Sequence, residues 1–152
     1  MALVLVLDQA SKFLVTREFV LYESRQVIAG LFSLTYLTNT GAAFGILAGH
    51  PTWWRQAFFT GVALVALAVI VWLQGRLAGH SRWYTVSLSL IGGGALGNLV
   101  DRVRLGAVVD FLDFYIGSHH WPPFNLADSA ICVGVFLFLV LQFFSDDHRK
   151  KK

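Results

Sequence analysis

The sequence predicts a mainly α membrane protein, with four transmembrane helices and a small extracytoplasmic β-sheet and loop region at the membrane surface. Three observations carry that prediction. Hydrophobic residues fill 56% of the 152 positions against 14% that are charged, and mean hydropathy is +0.62, far from the balance of soluble domains. The apolar residues gather into segments close to the roughly 20 residues that a helix needs to cross a hydrocarbon core of about 30 Å. Between these segments lie stretches rich in β-branched and aromatic residues that read as strands. A chain of this length forms one integral membrane domain, residues 1–152.

The first span is placed at about 2–20. "ALVLVLDQASKFLV" is too apolar for an exposed arm and lacks the small-residue cleavage site of a secretory signal. It begins abruptly, because the seven residues ahead of Asp8 rise only about 10 Å as helix. An extracytoplasmic connection at about 21–52 follows. Within it "GLFSLTYLTNTGAAFG" alternates Phe32, Leu34 and Tyr36 with Ser33 and Thr35, the pattern of a half-buried strand that ends at a turn. Spans at about 56–74 and 83–100 come next, then a second connection at 101–122 containing the strand-like "RLGAVVDFLDFYIG", and a last span at 124–144. Open sheet edges are not tolerated in lipid, so such a sheet must pair its edges or stay at the interface. Trp53, Trp54, Trp83, Tyr84 and Trp121 fall at span ends and read as interfacial anchors without a catalytic role.

Four spans put both termini on one side. Arg76 and Arg82 in the short 75–82 connection, with the tail Arg149–Lys152, concentrate positive charge in short segments, which by the positive-inside rule face the cytoplasm. The other six basic residues (Lys12, Arg17, Arg25, Arg55, Arg102, Arg104) are spread over the first span and the outer connections. The net charge of +3 therefore reads as a cytoplasmic anchor rather than a nucleic-acid surface. The single cysteine, Cys132, excludes an intramolecular disulfide and a Cys-rich metal site, and reads as a small apolar residue inside a helix.

Ionisable groups within spans usually face the protein interior and usually have a function. Asp8 and Lys12 are an i, i+4 pair on one helical face, and a structural ion pair accounts for them as well as a catalytic role does. In "NTGAAFG", Asn39 precedes Gly41 and two alanines, which fits either a turn or a substrate clamp. In "GGGALGNLVDR", Gly93 and Gly97 favour close helix contact; Asn98 and Arg102 then share a face at the outer end of the third span, with Asp101 beside them. Helix-end snorkelling explains Arg102 equally well.

The richest stretch is "VVDFLDFYIGSHHWPPFNLADSA". Pro122 and Pro123 sit where a helix can begin, which projects Asn125 and Asp128 from the first turns of the fourth span. Asp128 could simply complement the helix dipole. Asp110 lies on the preceding strand, and the intervening loop is long enough to bring it over Asp128. Two carboxylates meeting in a poorly solvated site share one proton; such a pair can deprotonate a water for attack on an amide and protonate the leaving nitrogen. On a strand Asp113 points to the opposite face from Asp110. His119 and His120 are adjacent and diverge, so they read as exposed loop residues. No HExxH, GxSxG or P-loop motif occurs, which disfavours a metalloprotease, a serine hydrolase and a nucleotide-driven pump.

Taken in order, "DQASK" at 8–12, "NTGAAFG" at 39–45, "GGALGNLVDR" at 93–102, "VVDF" at 108–111 and "FNLAD" at 124–128 resemble the bacterial lipoprotein signal peptidases, the type II signal peptidases. The resemblance implies an intramembrane aspartic endopeptidase of the bacterial inner membrane that removes the signal peptide of a diacylglyceryl-modified prolipoprotein, cutting just before the lipidated cysteine. The family's catalytic dyad maps onto Asp110 and Asp128. Its supporting and substrate-positioning residues map onto Asp8, Lys12, Asn39, Gly41, Asn98, Arg102, Asn125 and Ala127. No metal or organic cofactor is implied; the expected partners are the prolipoprotein and membrane lipids, with no nucleic acid, and the chain is taken as a monomer. Family members usually carry a longer first helix ahead of the "DQASK" position, which puts the first span's stability in question. The competing class is a small transporter or proton-coupled channel, which would spread polar groups through the bilayer depth; a structural scaffold would leave Asp128 unexplained.

Overall fold

The computed structural model describes residues 1–41, 52–77, 79 and 81–149, the last five by backbone alone. The chain runs α1 (Ala2–Glu18), β1 (Ser24–Ile28), β2 (Phe32–Asn39), α2 (Trp53–Leu77), α3 (Arg82–Leu105), β3 (Val108–Ile116), β4 (His119–His120) and α4 (Leu126–Arg149). It is mainly helical with one small antiparallel sheet in the order β1-β2-β3-β4. The "AAFG" of "GAAFG" at 42–45 and the basic tail at 150–152 lie outside the described residues, as do two positions of the 75–82 connection.

Helix α3 is the hub: α1, α2 and α4 all pack on it. Its glycines explain why. A Cβ on Gly94 would collide with the Ala127 carbonyl of α4, and one on Gly97 with the Asp8 carboxylate of α1. Gly93 faces α1 as well, where a Cβ would lie 2.7 Å from Val4 Cβ. The small-residue pattern read from the sequence is thus a packing device that lets two helices approach α3 at backbone distance. Gly134 of α4 answers it from the other side, against Ile91 and Ser87.

Helices α2 and α4 are long and apolar enough to cross a membrane, with mean hydropathies of 2.2 over Trp53–Leu77 and 2.1 over Leu126–Phe144. Only Phe59 and Ile70 of α2 are buried, so most of that helix turns apolar side chains outward. The element boundaries differ from the sequence expectations for local reasons. The third helix continues five residues past 100, so the connection expected from 101 begins inside it. It stops at Gly106, which takes a left-handed φ of 74° and donates its N–H to the Arg102 carbonyl. The fourth helix begins two residues late because Phe124 is still paired with Leu112, donating to its carbonyl at 3.1 Å and accepting its N–H at 2.8 Å. Asn125 is therefore the residue before the helix rather than part of its first turn.

Strand β2 alternates as expected, but its small polar residues are the buried ones. Ser33 and Thr35 are 5% exposed, whereas Phe32, Leu34 and Tyr36 are half-exposed. Thr35 Oγ1 donates to the Glu23 carbonyl at 3.1 Å. The other face carries stacked rings, Phe32 on Phe114 at 4.7 Å and Phe114 on Phe124 at 5.9 Å. Tyr84 is not an interfacial anchor: it is 8% exposed and packs edge-on against Phe138 at 5.7 Å. Cys132 is on a helix as expected, but its side chain is exposed.

The glycine contacts give a stability prediction. Gly94→Val should cost on the order of 1–3 kcal/mol through overpacking, seen as a lower melting temperature in detergent. Gly61→Ala, with nothing within 4 Å of the added carbon, should leave the melting temperature unchanged or slightly raised, because alanine favours a helix over glycine by about 1 kcal/mol.

Candidate active site

A cavity of about 570 Å³ opens between α2, α3, α4 and the sheet. Its walls are mostly apolar, with Phe59, Val62 and Ala63 from α2, and Ala95 and Ile131 from α3 and α4. Asn39, Asn98, Arg102, Asp110 and Asp128 supply a polar end. Trp121, Pro122, Pro123 and Phe124 border it, so Trp121 is a cavity residue as well as an exposed aromatic. Cys132 stands on the cavity wall one helical turn below Asp128.

Asp110 reaches this cavity from β3, paired across the ladder with Leu37. Its side chain is 4% exposed. Asn125 Nδ2 donates to its Oδ1 at 2.7 Å, and Asn39 hydrogen-bonds it from the end of β2. Asp128 comes from the first turn of α4. The Asn125 side-chain oxygen accepts the Asp128 N–H at 3.0 Å, and Asp128 Oδ2 accepts the Asn125 N–H at 3.3 Å. This reciprocal exchange is a capping box, built here with Asn and Asp. Asn98 Nδ2 donates to the other Asp128 oxygen at 2.8 Å.

The remaining residues predicted from the sequence surround this pair. Lys12 Nζ lies 2.9 Å from Asp8 Oδ2 and donates to Asn98 Oδ1 at 3.0 Å. Asp8 Oδ1 accepts the Ala127 N–H at 2.9 Å, and Ala127 itself is fully buried. Arg102 reaches the Gly41 carbonyl at 3.2 Å and lies 5.6 Å over the Phe59 ring. That makes it a bridge between α3 and the chain after β2 rather than a side chain snorkelling outward. Asn39 Oδ1 accepts the Gly41 N–H at 2.9 Å, which shapes the turn. All ten predicted residues thus lie in one connected cluster.

Asp113 is held elsewhere. Three positions after Asp110 on the strand, it meets His120 Nδ1 at 2.9 and 3.1 Å, and the imidazole stacks on Tyr115 at 4.7 Å. His120 is exposed, as expected, but engaged. Two residues of the cluster escaped the sequence reading as site members, Gln9 and Asp101. Gln9 sits within "DQASK" and donates to Asp101 Oδ1 at 2.8 Å; Asp101 stands three residues after Asn98, on the same side of α3, which was the available signal. Among the described residues no group of three or more His, Cys, Asp or Glu side chains could hold a metal ion.

Burial, and then the nearby Asp128 charge, push the Asp110 carboxyl from 3.8 up to about 7, against the opposing effect of hydrogen bonds from Asn125 and Asn39 and of the Lys12 charge. A carboxyl raised in this way holds its proton more tightly in the folded chain than in the unfolded one. Its stabilising contribution is complete below the unfolded value near 4 and is lost as pH rises through about 7. Asp110→Asn removes that loss. The variant should therefore gain thermal stability over the parent as pH rises from 4.5 to 8, by up to on the order of 3 kcal/mol. A melting-temperature difference that is flat across this range would contradict the raised value.

A family model described as signal peptidase (SPase) II matches residues 1–144. The lipoprotein signal peptidase of Geobacter metallireducens is 54% identical over 151 residues, covering 99% of this chain and 91% of the relative. That of Syntrophus aciditrophicus is 49% identical over 148 residues, covering 97% and 91%. A solved structure described as a bacterial membrane enzyme superposes with a TM-score of 0.88 at 33% identity, covering 99% of this chain and 89% of the other.

Proposed function

Because the chain belongs to the signal peptidase II family, an enzyme that cleaves the signal peptide of a prolipoprotein, we propose that it does so as an aspartic endopeptidase with Asp110 and Asp128 as the catalytic pair. The observation that carries this reading is the convergence of a strand carboxylate and a helix carboxylate on one apolar cavity, joined through Asn125. The two share one proton. The ionised member takes a proton from a water held between them, that water attacks the scissile carbonyl, and the protonated member donates to the departing nitrogen. Asn98 and Asn125 fix the carboxylates, and Lys12 holds the Asn98 side chain in place. Asn39 and Arg102, joined through Gly41, border the cavity where an extended peptide can lie.

The substrate is the diacylglyceryl-modified prolipoprotein, cut just before the lipidated cysteine. Two acyl chains would anchor the peptide in the bilayer and fix the depth of its scissile bond, and positioning of that kind supplies a large share of catalysis. The apolar lower walls of the cavity on α2, α3 and α4 suit a substrate arriving from lipid. Four helices span the inner membrane in this reading. Helix α1 has 17 residues, about 25 Å at 1.5 Å per residue, and turns Leu3, Val6, Leu7, Phe13 and Leu14 outward. Both termini are cytoplasmic and the cavity's polar end, with the sheet, lies toward the outer leaflet. A transporter is not favoured, because the polar groups collect at one end of the helices instead of marking a path through them.

Purified enzyme should cleave a diacylglyceryl-modified prolipoprotein, and Asp110→Asn and Asp128→Asn should each reduce cleavage by roughly 10²- to 10⁴-fold, the scale on which acid–base catalysis operates. Asp113→Asn should be far milder. Cleavage by both dyad variants at the parental rate would exclude the pair, and equal rates on unlipidated precursor would exclude positioning by lipid.

A further inference from the structure

Lys12 has two carboxylate partners where charge balance requires one. Its Nζ lies 2.9 Å from Asp8 Oδ2 and 2.8 Å from Asp101 Oδ2, and the three residues are 3%, 0% and 3% exposed for Lys12, Asp8 and Asp101. A lysine with two aspartates leaves a buried surplus of one negative charge, which is costly unless hydrogen-bond donors stabilise it. The donors are specific. Asp8 Oδ1 accepts the N–H of Ala127 at 2.9 Å; Asp101 Oδ2 accepts the N–H of Val109 at 3.2 Å. Ala127 immediately precedes Asp128, and Val109 immediately precedes Asp110. Each carboxylate beside the lysine therefore grips the peptide N–H one residue ahead of one member of the proposed dyad.

Val109 needs such a grip. At Val108–Asp110 strand β3 pairs with β2 on one side, while on the other side β4 pairs at Tyr115 and Ile116 and Phe124 bonds Phe111 and Leu112, all beyond Asp110. Among the described residues no strand bonds the peptide groups of Val109 on the other side, and an unpaired buried N–H or carbonyl is costly. Side chains take the place of that strand: Asp101 receives the Val109 N–H, and Asn125 Nδ2 donates to the Val109 carbonyl at 3.2 Å. Gln9 Nε2 braces Asp101 at 2.8 Å and also donates to the Gly97 carbonyl at 3.1 Å.

We infer that Asp101 is a positioning residue for Asp110: it fixes the edge of β3 to α3 through Val109 and, through Lys12 and Asp8, sets Asp110 at a defined separation from Asp128. The inference rests on the aspartic reading of the site. A mere counter-ion to Lys12 would affect stability alone, whereas a positioning residue affects the chemical step.

The test measures steady-state cleavage of a diacylglyceryl-modified prolipoprotein by the full chain and its Asp101→Ala, Asp101→Asn and Asp110→Asn variants, with rates normalised to folded protein. Asp101→Ala should lower kcat by on the order of 100-fold, the cost of a displacement of about 1 Å at the reacting groups, with KM within about twofold of the parent. Asp101→Asn keeps an oxygen able to accept the Val109 N–H and should recover roughly fivefold of that loss, since one hydrogen bond is worth about 1 kcal/mol. Unchanged kcat in Asp101→Ala, or a loss expressed only in KM, overturns the inference. Should Asp101→Ala not fold, Asp101→Leu, which keeps the volume but offers the Val109 N–H no acceptor, takes its place: a parental kcat there with Asp110→Asn inactive overturns the tether and leaves the dyad standing. An active Asp110→Asn removes the dyad and the tether together.

Discussion

Burying two carboxylates near one another is costly unless each finds donors, because neither their mutual repulsion nor their lost hydration is relieved by an apolar wall. Asn125 meets that requirement for both, with its side chain for Asp110 and its backbone N–H for Asp128. Its amide nitrogen donates to Asp110 while its oxygen caps the N–H of Asp128, whose own carboxylate accepts from the Asn125 backbone. One residue thus couples a strand to a helix start, and the rest of the cluster is arranged around it. Asn98 completes the donors to Asp128 and is itself held by Lys12. The helix dipole at the start of α4 also favours a negative group there.

The close approach of α1 and α4 to α3 follows from the same requirement. A buried Asp8 can reach the Ala127 N–H only if α1 and α4 both sit against α3 with no side chain between, and Gly94 and Gly97 provide that clearance. The most apolar elements, α2 and α4, complete the cavity and turn most of their surface outward. A polar cluster packed by glycines and enclosed by outward-facing apolar helices keeps the ionisable groups inside the protein and, in the proposed function, open to a lipid-borne peptide.

Much of this was legible in the sequence because it depends on short-range geometry. The i, i+4 spacing of Asp8 and Lys12 foretold their ion pair, the odd spacing of Asp110 and Asp113 foretold their divergence across a strand, and the glycine spacing of α3 foretold close packing. The parts that were not legible depend on contacts distant in sequence. Asp101 looked like a neighbour of Asn98, and its bonds to Lys12 and Val109 exist only once α1 and β3 are assembled on α3. Asn125 has the sequence position of a helical residue, and the pairing of Phe124 with Leu112 that delays the helix cannot be seen from composition. An aromatic at a helix end carries no local sign of which neighbour it will meet: Tyr84 has the position of an interfacial anchor yet packs against Phe138, and the exposed Trp121 also borders the cavity. Asp113, without a role in the sequence, is accounted for by His120.

The central claim is that Asp110 and Asp128 titrate as a pair. The most direct measurement is the infrared absorption of the Asp110 carboxyl followed against pH in the intact enzyme, assigned by its absence in Asp110→Asn. The account predicts a protonated carboxyl that ionises near pH 7 and at a lower pH in Asp128→Asn, where the neighbouring charge is gone but burial remains. A carboxyl that ionises near pH 4, and does so unchanged in Asp128→Asn, would contradict it.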